Sequence, residues 1–168
     1  MVKNNIILIG MPGVGKSSVG VILAKILGYR FLDSDLIIQE KEGRLLHEII
    51  ASEGLEGFIR VENRINASIN CTNSIVATGG SAIYGDEAMA HFKEIGTIVY
   101  LKSDYATIAN RLGDLAARGV AMKEGQTLKD LYEERVPLYE KYADIVVDES
   151  GCRSVRETIS KVLEILNK

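Results

Sequence analysis

The sequence predicts an α/β protein in which five short strands build one parallel, doubly wound sheet with helices on both faces. Three observations carry this. Short apolar runs recur without polar alternation, the mark of strands covered on both sides. Helical stripes fall between them. The first run ends in a glycine-rich loop that opens directly into a helix.

The elements follow in order. "NIILI" (5–9) is a continuous apolar run stopped by Gly10 and reads as a buried strand. Residues 16–28 carry apolar side chains at 19, 22, 23, 26 and 27, a helical spacing, with Gly28 as the stop. "RFLDSD" (30–35) is a strand running into a polar end. Residues 36–42 and about 45–70 read as helical, with a break near "EGLEG". "SIVAT" (74–78) and "TIVYL" (97–101) are strands, and 104–113 is a short helix. Residues 114–125, rich in glycine and alanine with mixed charge, read as a loop. Residues 128–143 are helical with Pro137 as a kink or start, 144–148 are the fifth strand, and 154–166 are a closing amphipathic helix.

The chain has 168 residues, is 46% hydrophobic and 26% charged, and has only two prolines, so one domain over 1–168 is expected. Its formal net charge of −3 lacks the basic excess of a duplex-binding surface, so no nucleic acid partner is expected. No apolar run approaches membrane-spanning length, and the N-terminus has too short an apolar run for a signal peptide. A cytoplasmic monomer is the expectation. Cys71 and Cys152 make no CxxC pair, and His47 and His91 stand alone, which argues against a metal cluster.

"GMPGVGKS" (10–17) fits G-x-x-x-x-G-K-[ST] between a strand and a helix, the context that makes a phosphate-binding loop credible. Its glycines let successive N–H groups curl toward one point, and the helix N-terminus adds its positive dipole end. Lys16, expected at an exposed loop–helix junction, can reach β- and γ-phosphates, and Ser17 can ligate Mg²⁺. The cradle is shared by switches, ATPases and kinases, so it does not name a reaction. Asp33 and Asp35 close the second strand. Strand alternation would lean both into the crevice, one toward a metal and the other toward an attacking hydroxyl. The structural alternative is a polar strand end with Asp35 capping the next helix.

With these residues in view, the chain resembles the shikimate kinase family of P-loop kinases over nearly its whole length. The resemblance rests on "GMPGVGKSSVGVILAKILGYRFLDSD", on "ATGGSA" (77–82) at a three-glycine turn, on Arg111 and Arg118, and on "RVPLYEKYAD" (135–144). It implies a three-layer kinase fold with a mobile lid at about 114–125 and an acceptor-binding helical region at about 34–62. It also implies ATP and Mg²⁺ as cofactors, and a small hydroxylated acid, shikimate first, as acceptor. Gly13, Val14, Gly15, Lys16, Ser17 and Ser18, with Arg111, Arg118 and Arg153, would bind nucleotide. Ser17 and Asp33 would hold the metal. Asp35, Gly79, Gly80, Ser81 and Arg135 would bind the acceptor. Lys16, Asp35 and Arg118 would be catalytic, with Asp35 as base.

Three positions depart from the family pattern, all toward the acceptor and lid. The slot of a second carboxylate-binding arginine, between Phe58 and Glu62, is Ile59, with Arg60 one residue late and turned by about 100°. Arg60 follows Glu56 by four residues, the spacing of a surface ion pair, although a long guanidinium could reach back. The third glycine is Ser81, and no proline follows Arg118. Two other readings therefore stay open: a related kinase with another acceptor, or a nucleotide-binding regulatory protein.

Overall fold

The computed structural model describes residues 4–113 and 120–167. β1 (Asn5–Ile9), β2 (Arg30–Asp33), β3 (Ser74–Ala77), β4 (Gly96–Lys102) and β5 (Ile145–Asp148) form one sheet in the order β2-β3-β1-β4-β5. Every neighbouring pair is parallel. The three inner strands bear out the apolar-run reading. Ile7, Leu8, Ile75, Val76, Ile98 and Val99 are fully buried. The edges are less covered: β2 has no fully buried residue, and Val146 on β5 is 44% exposed.

α1 (Lys16–Leu27) and α7 (Val155–Leu166) pack together beside the sheet, while α4 (Asp86–Ile95) and α6 (Leu128–Tyr142) pack against β4. α4 has no counterpart in the sequence reading. Its signals are present all the same: Ala88, Met89 and Phe92 at helical spacing, Asp86 and Glu87 in the first turn, and Gly96 at the stop. Pro137 lies inside α6 rather than at its start. Its ring removes a backbone donor from the helix ladder.

α2 (Ser34–Glu42) follows β2 without a loop, and α3 spans Leu46–Ala67. The expected break falls at Gly54, whose φ of 74° and ψ of 177° split α3 into two arms. The second arm buries Phe58, Val61 and Ile65; the first carries Ile49 into the same small cluster with Ile38. Arg44 ties the first arm down through Ser52 (2.8 Å), Glu53 (3.0 Å) and Glu42 (3.2 Å). These ion pairs are partly exposed and contribute little each, so the arm is held mainly by Ile49.

β1 is the middle strand, with β2 and β3 on one side and β4 and β5 on the other. The chain reverses its winding direction there, and the crevice at the carboxyl ends of the strands opens at that point. Among the described residues, no helix is long and apolar enough to cross a membrane. Cys71 and Cys152 are free thiols.

Candidate active site

The loop after β1 has Gly10, Gly13 and Gly15 at positive φ (149°, 82° and 95°). Gly10 is the most constrained, since a Cβ there would lie 2.6 Å from the Leu101 carbonyl oxygen. Gly15 is the N-cap of α1 and offers no side chain to its orphan N–H groups, which leaves them for an anion. Val14 is buried, so only its backbone faces the cradle, whereas Ser17 and Ser18 are exposed at its rim.

Lys16 is not exposed. It is 7% accessible, and its ammonium donates to the carbonyls of Gly10 (2.7 Å) and Met11 (2.8 Å). The loop curls its own carbonyls around the cation, which periodicity alone does not reveal. Burial lowers its pKa to about 8, against the opposing pull of Asp35.

Ser17 Oγ donates to Asp33 Oδ2 at 3.2 Å. Adjacent ligands of an octahedral Mg²⁺ are about 2.9 Å apart, so the two oxygens fit such an ion with little movement. Among the described residues no cluster of three His, Cys, Asp or Glu side chains forms a metal cage. Mg²⁺ does not need one, because it keeps water and phosphate ligands.

The paired aspartates reach the crevice by a different route from the one strand alternation suggests. β2 ends at Asp33, and Asp35 is already in the first turn of α2. Asp33, not Asp35, is the helix cap, with Oδ1 accepting from the Asp35 N–H at 3.0 Å. Asp35 is left free of capping. Desolvation, with the neighbouring Asp33 charge, raises its pKa to about 6.

A cavity beside Asp35 is lined by Pro12, Leu46, Phe58, Glu62, Gly79, Gly80, Ser81, Val120, Ala121 and Arg135. Arg135 is 1% exposed. It donates through Nη2 to the Ala121 carbonyl at 2.6 Å and lies 5.5 Å from the Tyr84 ring centroid, while its Nε has no partner among the described residues. No carboxylate lies within 4.0 Å of it among the described residues. The turn after β3 is held from behind: Ser34 Oγ accepts from the Gly79 N–H (3.3 Å), and Tyr139 donates its hydroxyl to the Gly80 carbonyl. Tyr139 in turn stacks on Tyr100, their centroids 5.1 Å apart.

A second pocket, on the other side of the loop, is lined by Gly13, Val14, Gly15, Ser18, Arg111, Glu149, Cys152, Arg153 and Ser154. Arg111 Nη1 donates to Glu149 (3.1 Å) and more weakly to the carbonyls of Val14 (3.3 Å) and Gly13 (3.4 Å). The structure thus gathers the expected nucleotide residues around one loop and the expected acceptor residues around one cavity, with Lys16 between them. Arg118 falls in 114–119, outside the described residues. Ile59 and Arg60 do not line the cavity. Arg60 is exposed and makes no ion pair with Glu56 among the described residues.

Sequence reasoning gave no role to Ser34, Glu62, Tyr139 or Glu149. Glu62 was visible as a charge on the stripe of Phe58, Val61 and Ile65, an unusual place for one. The others depend on contacts between distant elements and left no local signal.

The profile of the shikimate kinase family matches residues 12–167. Over 168 residues the chain is 32% identical to shikimate kinase 2 of Yersinia pestis, covering 96% of this chain and 94% of that protein. It is 36% identical to the shikimate kinase of Thermodesulfovibrio yellowstonii, covering 97% and 96%. Among solved structures, the shikimate kinase of Acinetobacter baumannii in complex with shikimate superposes with a TM-score of 0.86 at 32% identity, covering 98% of this chain and 93% of that one. On this evidence the chain belongs to the shikimate kinase family, a P-loop kinase family of phosphotransferases acting on an alcohol.

Proposed function

We propose that the protein transfers the γ-phosphoryl group of ATP to a hydroxyl of shikimate, as the names of its relatives suggest. The observation that carries the acceptor reading is Arg135. A buried guanidinium without a carboxylate partner is costly to retain, and its site becomes favourable when an anion enters. Shikimate supplies a carboxylate for Arg135 and hydroxyls for Asp35.

In this reading the acceptor lies in the cavity with its carboxylate on Arg135 and the reacting hydroxyl on Asp35, which takes up its proton. Gly79, Gly80 and Ser81 form the floor. Lys16 leaves the Gly10 and Met11 carbonyls for the phosphates, where it meets the charge that develops in transfer. Gly13, Val14, Gly15, Ser17 and Ser18 cradle the phosphates, and Arg111 and Arg153 flank the base. Mg²⁺, held by Ser17 and Asp33, supplies charge neutralisation for the phosphates. We assign 114–125 as a lid that brings Arg118 to the phosphates and 34–62 as the acceptor-binding region of one domain. Every group named belongs to one chain, so a monomer suffices. Free thiols suit the reducing cytoplasm.

ADP release measured with shikimate and a panel of small hydroxy acids tests the proposal. Shikimate-dependent turnover is the expected result. Turnover confined to another acid would replace the acceptor, and ATP binding without any turnover would replace the enzyme reading.

Ile59 offers a second check. A hydrogen bond to a charged group contributes about 1.5–3 kcal/mol, equivalent to about 10–150-fold in affinity. Ile59→Arg is expected to recover part of that range as a several-fold lower KM for shikimate, with KM for ATP unchanged. Arg60→Ala is expected to change neither constant, because Arg60 does not reach the cavity. Steady-state kinetics on the two variants decides both points.

A further inference from the structure

Glu62 is a buried carboxylate that the mechanism above does not use. It is 1% exposed, on the face of α3 that also buries Phe58, Val61 and Ile65. Ser81 Oγ donates to its Oε1 at 2.7 Å. Its Oε2 is buried and has no hydrogen-bond partner among the described residues. That oxygen flanks the bare Cα of Gly79. A Cβ there would lie 2.9 Å from Glu62 Oε2 and 2.7 Å from Asp35 Oδ1. Two carboxylate oxygens from α2 and α3 therefore converge on one small wall of the acceptor cavity.

The described residues lining that wall carry two potential negative charges, Asp35 and Glu62, and one positive charge, Arg135. Both acids feel the Lys16 ammonium, which itself donates to its own loop. An acidic acceptor brings a further negative charge. Like charges gathered at a dry site do not all ionise. A proton on Oε2 relieves the crowding and converts an orphaned acceptor into a donor facing the space an acceptor would fill.

Resting on the acid-acceptor reading, we propose that Glu62 is a recognition residue that holds an acidic acceptor in its protonated form, donating from Oε2 and drawing the proton from solvent when it was ionised beforehand. The groups that face it set the balance. Burial raises its pKa to about 7, and Asp35 pushes the same way. The Ser81 hydroxyl, Arg135 and Lys16 oppose them. The free protein is therefore poised near neutrality. Acceptor affinity should fall as pH rises through that value, by about fivefold between pH 7 and pH 8 for linkage to one proton.

Titration calorimetry of shikimate into the full chain at pH 8, in two buffers of different ionisation enthalpy, counts protons directly. The expected result is close to one proton taken up per shikimate bound, declining toward none at pH 6. Glu62→Gln should abolish the uptake and flatten the pH dependence of affinity. Ser81→Gly removes a hydrogen bond that favours the ionised form, so it should move the midpoint upward. Binding without uptake in the unaltered protein would overturn the inference and leave the kinase reading intact. So would uptake that persists in Glu62→Gln, since Asp35 would then carry the proton. A midpoint unmoved or lowered by Ser81→Gly would overturn the Ser81 link. Absence of shikimate binding would overturn the acid-acceptor reading and this inference together.

Discussion

Lys16→Met is expected to lower kcat/KM on the order of 10³-fold and, at the same time, to raise Tm at neutral pH. The loss follows from removing the cation that meets charge developing on the transferred phosphoryl group, where even one preorganised donor is worth about 10²–10³. The gain follows from the resting position of the side chain. Its ammonium is buried against two carbonyls, and its pKa is lowered to about 8. A lysine with a depressed folded-state pKa favours folding only above its unfolded value, near 10.5, and this contribution is lost as pH falls through 8. At pH 7 the charged lysine opposes folding, and methionine removes that opposition. The Tm difference between variant and wild type should therefore shrink between pH 8 and pH 10.5. Thermal melts across that range check the sign. A lower Tm for Lys16→Met at pH 7 would mean that the carbonyl bonds outweigh the desolvation.

Asp35→Asn is expected to lower kcat by about 10²–10⁴, the range of a positioned general base. The wild-type rate should fall along an acid limb as pH drops through about 6, where Asp35 takes up a proton and can no longer accept one from the hydroxyl. The residual rate of the variant should show no such limb. Asp33→Asn is expected to act differently. Asparagine keeps the cap on α2, so the fold should hold, but Ser17 loses its anionic partner. The Mg²⁺ concentration for half-maximal activity should rise, with much of kcat recovered at saturating metal. Equal and mild effects of the two changes would reduce the pair to a polar strand end.

The three central strands were legible because burial on both faces leaves continuous apolar runs such as "NIILI" and "SIVAT". The phosphate loop was legible because its chemistry is written in consecutive residues. The break in α3 was legible through its glycines. What failed did so for tertiary reasons. Asp35 looked like a strand residue or a cap, yet α2 begins two residues earlier than the polar pattern implies. The Glu56–Arg60 spacing fits an ion pair, but spacing alone does not bring two exposed, well-hydrated side chains together. Glu62 could be seen to lie on an apolar stripe, but only the turn after β3 reveals Ser81 at its Oε1 and the open Gly79 at its Oε2. α4 is the exception. Its pattern was present and short, set between Gly85 and Gly96, and a ten-residue window would have found it.

The joint at Gly54 bears on how the acceptor preference of this protein can drift over generations. The arm before it carries Leu46 to the cavity wall, and the arm after it carries Phe58 and Glu62. Because α3 bends at a single residue, a change in acceptor size can be absorbed by rotating the first arm about one pair of dihedrals. The second arm and the phosphate loop beyond it can stay in place, at the cost of re-seating Ile49 in the cluster it shares with Phe58, Val61 and Ile65. Substitutions near Leu46 and Ser52 are thereby largely separated from the packing of the second arm, with Ile49 as the buried side chain that links the two. Selection can explore one without endangering the other, whereas a continuous 22-residue helix would transmit each adjustment along its whole length.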